Sequence, residues 1–188
     1  MILFVNACVR EGSRTRRLAE RLLEKREGPV EEVRLDEVRF PVADEAFLDR
    51  RDRLTRERKF DDPLFALARQ FAAADEIVIA APCWDLSFPA ALKQYLEQVN
   101  AVGVTFRYTQ KGVPETLCRA RRLTYVTTVG GPFFPEEFGF GYVRALAENF
   151  YGVRDVRLIR ATGLDVDGAD VEAILRAAER EVDERSEL

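Results

Sequence analysis

The chain has 188 residues, 47% hydrophobic and 33% charged, with a formal net charge of −4 and a pI near 5.2. This is the composition of a folded domain with its own core, which excludes a disordered chain and the strongly basic face that a nucleic-acid partner requires. No apolar run approaches the roughly 20 residues needed to cross a bilayer, so a membrane is not an expected partner either.

Met1 to Val5 reads as a first strand, and no basic stretch precedes it as in a signal peptide. Ser13 to Glu27 carries Leu18, Leu22 and Leu23 at helical spacing and stops at Gly28-Pro29. Glu31 to Leu35 is a short second strand. Asp36 to Asp62 is irregular, with 16 charged residues in 27. So long a segment in a compact domain is either a solvated excursion, with a charged helix over Asp44 to Lys59, or a lid or dimer-contact element. Leu64 to Ala74 is helical, with Leu64, Leu67, Ala68 and Phe71 on one face.

The third strand, Glu76 to Ala81, is a continuous apolar run that suits burial on both faces of a parallel sheet. A helix over Ala90 to Val102 follows, then a strand over Arg122 to Val129. Glu136 to Phe150 reads as a helix, Val156 to Thr162 as the fifth strand, and Ala169 to Arg185 as the closing helix. Alternation of this kind implies right-handed crossovers and a parallel sheet, here as one domain over 1–188.

Histidine is absent, which removes Ser-His-Asp and Cys-His catalysis and histidine-based zinc sites. Cys8, Cys83 and Cys118 are odd in number and lack metal-ligand spacing. Reduced thiols, a cytoplasmic setting and no metal are therefore expected.

In an open α/β sheet, ligands bind beyond the carboxyl ends of the strands. Four segments can reach that edge. In Asn6 to Thr15, hydroxyls and arginines precede a helix, which makes either a phosphate cradle or a simple Ser13 cap. Pro82-Cys83-Trp84-Asp85-Leu86 offers backbone donors and an apolar wall for a planar ring, or merely a packed tryptophan. Thr127 to Phe134 carries paired glycines, which fit a close approach or a tight turn. Gly103 to Gly112 holds aromatics that are otherwise ordinary core.

Together these segments resemble the flavodoxin-like quinone reductase and FMN-dependent azoreductase superfamily, from Met1 to about Gly168. The resemblance rests on Ser13-Arg14-Thr15, on Ala81 to Lys93 with its Pro82-Cys83-Trp84-Asp85-Leu86-Ser87, on Gly103 to Thr109, and on Thr127 to Gly131. It implies a five-stranded parallel sheet of order 2-1-3-4-5 with helices on both faces. It also implies FMN as cofactor, NADH or NADPH as donor, and a quinone, azo compound or similar electron-poor aromatic as acceptor. Ser13, Arg14 and Thr15 would hold the phosphate, with Cys8 and Arg10 beside them. Pro82, Cys83, Trp84, Asp85 and Leu86 would run along the isoalloxazine, and Thr128, Val129, Gly130 and Gly131 would close its pyrimidine side. Phe106, Tyr108 and Phe133 would line the substrate pocket, and a homodimer is implied.

Three departures stand out. Asp85 replaces the asparagine common in azoreductases, and a charge facing the flavin there would lower its reduction potential. Phe133 and Phe134 follow the glycines where some quinone reductases carry a Tyr and a His. Ala7 and Cys8 replace serines. The competing reading is a flavodoxin-type electron carrier, which needs neither the aromatic segment near Phe106 nor the Asp36 to Asp62 excursion.

Overall fold

The computed structural model describes residues 1–186. Strands β1 (Ile2–Asn6), β2 (Val30–Arg34), β3 (Glu76–Ala80), β6 (Arg122–Thr128) and β7 (Asp155–Ala161) form one sheet of order β2-β1-β3-β6-β7. All its pairings are parallel. Counting only these five strands, the order is the expected 2-1-3-4-5, a flavodoxin-like arrangement. A separate antiparallel hairpin pairs β4 (Phe106–Tyr108) with β5 (Pro114–Thr116). The helices are α1 (Arg14–Leu23), α2 (Glu45–Arg56), α3 (Ala66–Ala73), α4 (Ala90–Val99), α5 (Phe140–Asn149) and α6 (Val171–Ser186).

The period-2 geometry of a strand divides the core into two layers. In β1, Leu3 and Val5 point to one face, and in β3 so do Ile77 and Ile79. They pack with Phe71 of α3, Leu92, Tyr95, Leu96 and Val99 of α4, and Val143 and Ala147 of α5. Ile2 and Phe4, with Val78 and Ala80, point to the other face and meet Leu18 and Leu22 of α1 and Leu175 and Val182 of α6. β3 is buried on both sides, which is why its sequence shows no alternation of polar and apolar residues.

The charged excursion does contain a helix. Asp44 caps α2, its carboxylate accepting from the Phe47 N–H at 2.9 Å. Leu54 is the helix's buried residue, and it joins Phe65, Ala68 and Ala101 in a satellite cluster. One leucine anchors twelve residues, so α2 sits on the body of the protein with most of its surface solvated.

Two segments differ from the sequence expectation. The helix expected over Glu136 to Phe150 is broken: a 3-10 turn covers Glu136–Phe138, and α5 starts only after Gly139. Gly139 takes φ −121°, ψ −85°, and a Cβ on Gly141 would lie 3.0 Å from the Glu136 carbonyl oxygen. Two glycines four and six residues past Pro135 carry too little helix propensity to hold a continuous helix. Residues 103–116, where no strand is expected from the sequence, fold into the β4–β5 hairpin. Thr105 anchors it from a buried position, donating to the Val99 carbonyl at 2.7 Å. Thr116 donates to the Tyr151 carbonyl, also at 2.7 Å.

The central strand should dominate stability. Ile79→Ala, at a site with no exposure, is expected to cost about 2–5 kcal/mol, whereas Leu48→Ala on the exposed face of α2 should change stability by less than about 0.5 kcal/mol. Chemical denaturation of the two variants against the parent measures the contrast.

Candidate functional site

The carboxyl ends of β1 and β3 stop level with each other and with Val126, two residues before the end of β6, because the register pairs Asn6 with Ala80 and Ala80 with Val126. The three chains then stay tied as they leave the sheet. The Ala7 N–H donates to the Ala80 carbonyl at 2.8 Å, the Ala81 N–H to the Val126 carbonyl at 3.0 Å, and the Cys83 N–H to the Thr128 carbonyl at 3.0 Å. Above these ends lies a cleft of about 280 Å³. It is lined by residues 8–10, 12–15, 82–84, 128–130 and 164–165.

Its first wall is the turn into α1. Asn6 is buried and shapes that turn: its Oδ1 accepts from the Cys8 N–H at 2.9 Å, and its Nδ2 donates to Glu32 at 2.7 Å. Ser13 is the N-cap, and its hydroxyl accepts from the Arg16 N–H at 3.3 Å. The capping alternative is therefore realised, yet the hydroxyl keeps its own proton for donation. The N–H groups of the first helical turn have no intrahelical acceptor, and they carry the positive end of the helix dipole. Nothing lies within 4 Å of a Cβ placed on Gly12, so open space faces this end. Arg10 is exposed beside it. Thr15 is buried, and its hydroxyl lies 2.6 Å from that of Thr128, closing the cleft floor across from α1 to β6.

The second wall is a two-residue turn. The Trp84 N–H donates to the Ser87 carbonyl at 3.1 Å and the Ser87 N–H to the Trp84 carbonyl at 2.8 Å. Asp85 (φ 49°) and Leu86 (φ 67°) both lie in the left-handed region. Paired positive φ values between reciprocal hydrogen bonds define a type I′ turn. Asp and Asn tolerate this conformation better than other residues with a Cβ, while Leu is strained in it. The Ser87 hydroxyl donates to the Phe138 carbonyl at 2.5 Å and fastens the turn to the segment ahead of α5. Trp84 remains 43% exposed on the cleft side of the turn.

The third wall is Thr128, Val129 and Gly130, braced by the loop after β7. The Leu164 N–H donates to Val129 at 3.2 Å and the Asp165 N–H to Gly130 at 2.8 Å. A Cβ on Gly130 would sit 2.3 Å from the Asp165 Oδ2, so the carboxylate in its present position uses the space left by the missing side chain. Gly131 has no atom within 4 Å of such a Cβ.

Of the residues singled out in the sequence, Cys8, Arg10, Ser13, Arg14, Thr15, Pro82, Cys83, Trp84, Thr128, Val129 and Gly130 are brought together around this cleft. Asp85 and Leu86 form the tip of the second wall and lie outside the lining, as does Gly131. The position of Asp85 follows from the turn's backbone. Phe106 is 5% exposed and stacks on Phe150 at 4.5 Å, so it serves the core that anchors the hairpin. Tyr108 and Phe133 are exposed and are not part of the cleft within this chain. Val9, Gly12, Leu164 and Asp165 complete the lining without having been singled out. The Leu164-Asp165 pair follows the fifth strand, whose carboxyl end was the signal available for finding it. Among the described residues no group of three or more metal-ligating side chains occurs, and no helix is long and apolar enough to cross a membrane.

A family model described as flavodoxin-like fold matches residues 1–186. The chain belongs to that family. It is 36% identical over 186 residues to an FMN-dependent NADH:quinone oxidoreductase of Lachnoclostridium phytofermentans, covering 92% of this chain and 90% of that protein. It is 43% identical over 121 residues to FMN-dependent NADH:quinone oxidoreductase 2 of Clostridium acetobutylicum, where the match spans 62% of this chain and only 60% of the relative. Among solved structures, an FMN-dependent NADH-azoreductase from Bacillus anthracis in complex with FMN superimposes with TM-score 0.81. The two share 24% identity, over 99% of this chain and 97% of that one. At that identity the likeness speaks for the fold.

The thiols differ in availability. Burial pushes Cys8 and Cys83 up, and the nearby Asp85 charge raises Cys83 further. Burial likewise pushes Cys118 up to about 12. Removing the Asp85 charge favours the Cys83 thiolate. Asp85→Asn, which keeps a side chain suited to the left-handed turn, should therefore speed iodoacetamide alkylation of Cys83 at neutral pH by about two- to threefold. Peptide mapping of the alkylated protein reads the rate at that residue, and an unchanged or slower rate would contradict the placement of the charge.

Proposed function

We propose that this protein is an FMN-dependent NADH:quinone oxidoreductase that also accepts azo compounds or similar electron-poor aromatics. The observation carrying this reading is that one cleft combines the two features FMN needs. The α1 N-terminus, with Arg10 and the open space over Gly12, suits a phosphate. Pro82, Trp84 and Val129 supply apolar surface for a planar ring, beside backbone groups of residues 128–130. The long match to a relative bearing that activity in its name supports the same reading.

Bound FMN would supply two-electron transfer from the nicotinamide of NADH to the acceptor, chemistry that requires no histidine on the protein. The chain's own part is to bind and orient. Ser13 and the first-turn N–H groups fix the anionic end. The I′ turn holds Trp84 against the ring position, and the Thr15–Thr128 hydroxyl pair fixes the distance between the walls.

We further propose a homodimer in a cytoplasmic setting. Trp84, Leu86, Phe133 and Phe138 are exposed apolar residues on two segments joined by the Ser87 hydrogen bond, as a partner surface requires. A second copy is also the way Tyr108 and Phe133 would reach a substrate. The cysteines Cys8, Cys83 and Cys118 are all unpaired, in keeping with a reducing compartment. Light scattering of the eluted protein is expected to give twice the chain mass, and cell fractionation checks the compartment.

The activity is tested by the visible absorption spectrum of FMN-supplemented protein under anaerobic conditions. NADH should bleach the flavin band, and added quinone should restore it. Retained FMN that NADH does not bleach would instead favour a one-electron carrier, and failure to retain FMN would overturn the reading altogether.

A further inference from the structure

Asp165 places a carboxylate at the end of the cleft where an anion is expected. It is held there from several directions. Its backbone N–H is bonded to Gly130, its Oδ1 accepts from Arg14 Nη2 at 2.8 Å, and its Oδ2 rests over Gly130 in the space a side chain would fill. Arg14 has a second anchor, because its Nη1 donates to the Leu164 carbonyl at 3.0 Å. The guanidinium on the first residue of α1 is thus partly neutralised by an acid that is itself a cleft residue.

We propose that Asp165 is a specificity-determining residue of the cofactor site. Its carboxylate offsets the Arg14 charge and sets how strongly the cleft prefers a phosphorylated flavin over the same flavin without phosphate. This inference rests on the FMN reading above. The sign follows from the two anchors of Arg14. When the Asp165 charge is removed, the Leu164 carbonyl still holds the guanidinium in place, so its positive charge becomes available to a phosphate. Both partners are partly solvated, Arg14 at 37% and Asp165 at 66% side-chain exposure, which keeps the effect moderate and makes it sensitive to salt.

The experiment titrates the parent and Asp165→Asn proteins with FMN and, separately, with riboflavin, following flavin fluorescence at low and high ionic strength. Asp165→Asn should bind FMN about three- to tenfold more tightly at low salt, with riboflavin affinity unchanged and the FMN gain shrinking as salt rises. Unchanged or weaker FMN binding, or an equal gain for riboflavin, would overturn the inference. Asp165→Ser, checked for folding by circular dichroism, must behave in the same direction. A parent protein that binds FMN alongside unresponsive variants overturns this inference alone, whereas a parent that fails to bind FMN overturns the functional reading with it.

Discussion

The double burial of β3 is the constraint from which the rest of the molecule follows. A strand with helices on both faces must pair on both edges, with β1 and with β6, because no water is available to its backbone groups. Parallel pairing then sends all three chains out of the sheet at the same end. The first residues past β1 and β3 donate back to the neighbouring strand, Ala7 to Ala80, Ala81 to Val126 and Cys83 to Thr128. The cleft walls are therefore extensions of the sheet register, and the presence of both Trp84 and Ser13 in the lining is inherited from packing many residues away.

On this scaffold, the walls differ in how they are held. The α1 wall is shaped by one buried amide, Asn6, which uses both ends of its side chain. The Trp84 wall depends on a tight turn with an unfavourable leucine at its second position, compensated by the Ser87 bond to Phe138. The third wall depends on a carboxylate lodged where glycine leaves room. Each wall is thus set by a polar contact, while the apolar layers beneath set only where the walls begin.

These differences explain what could be read from the sequence. The five strands of the main sheet were legible because apolar runs such as Ile77 to Ala81 have no other economical use in a chain this size. Cleft residues near the strand ends were legible for the same reason. The β4–β5 hairpin was not, since strands of three residues with a single buried position show no periodicity. The break at Gly139 was masked by the helical pattern of Val143, Leu146 and Ala147 that follows it. Asp165 was invisible because its role depends on Arg14 and Gly130, which are distant in the chain. Phe106 carries a motif that suggests a pocket, and within this chain its ring stacks on Phe150.

The hydroxyl pair of Thr15 and Thr128 has a consequence for the thermodynamics of occupancy. It spans the cleft floor and joins a helix to a strand 113 residues away. The spacing of the walls is consequently fixed when the chain folds, and the entropy of bringing them together is lost at that stage. A ligand entering later meets a floor that does not have to be assembled, so less of its contact energy is spent on ordering the protein.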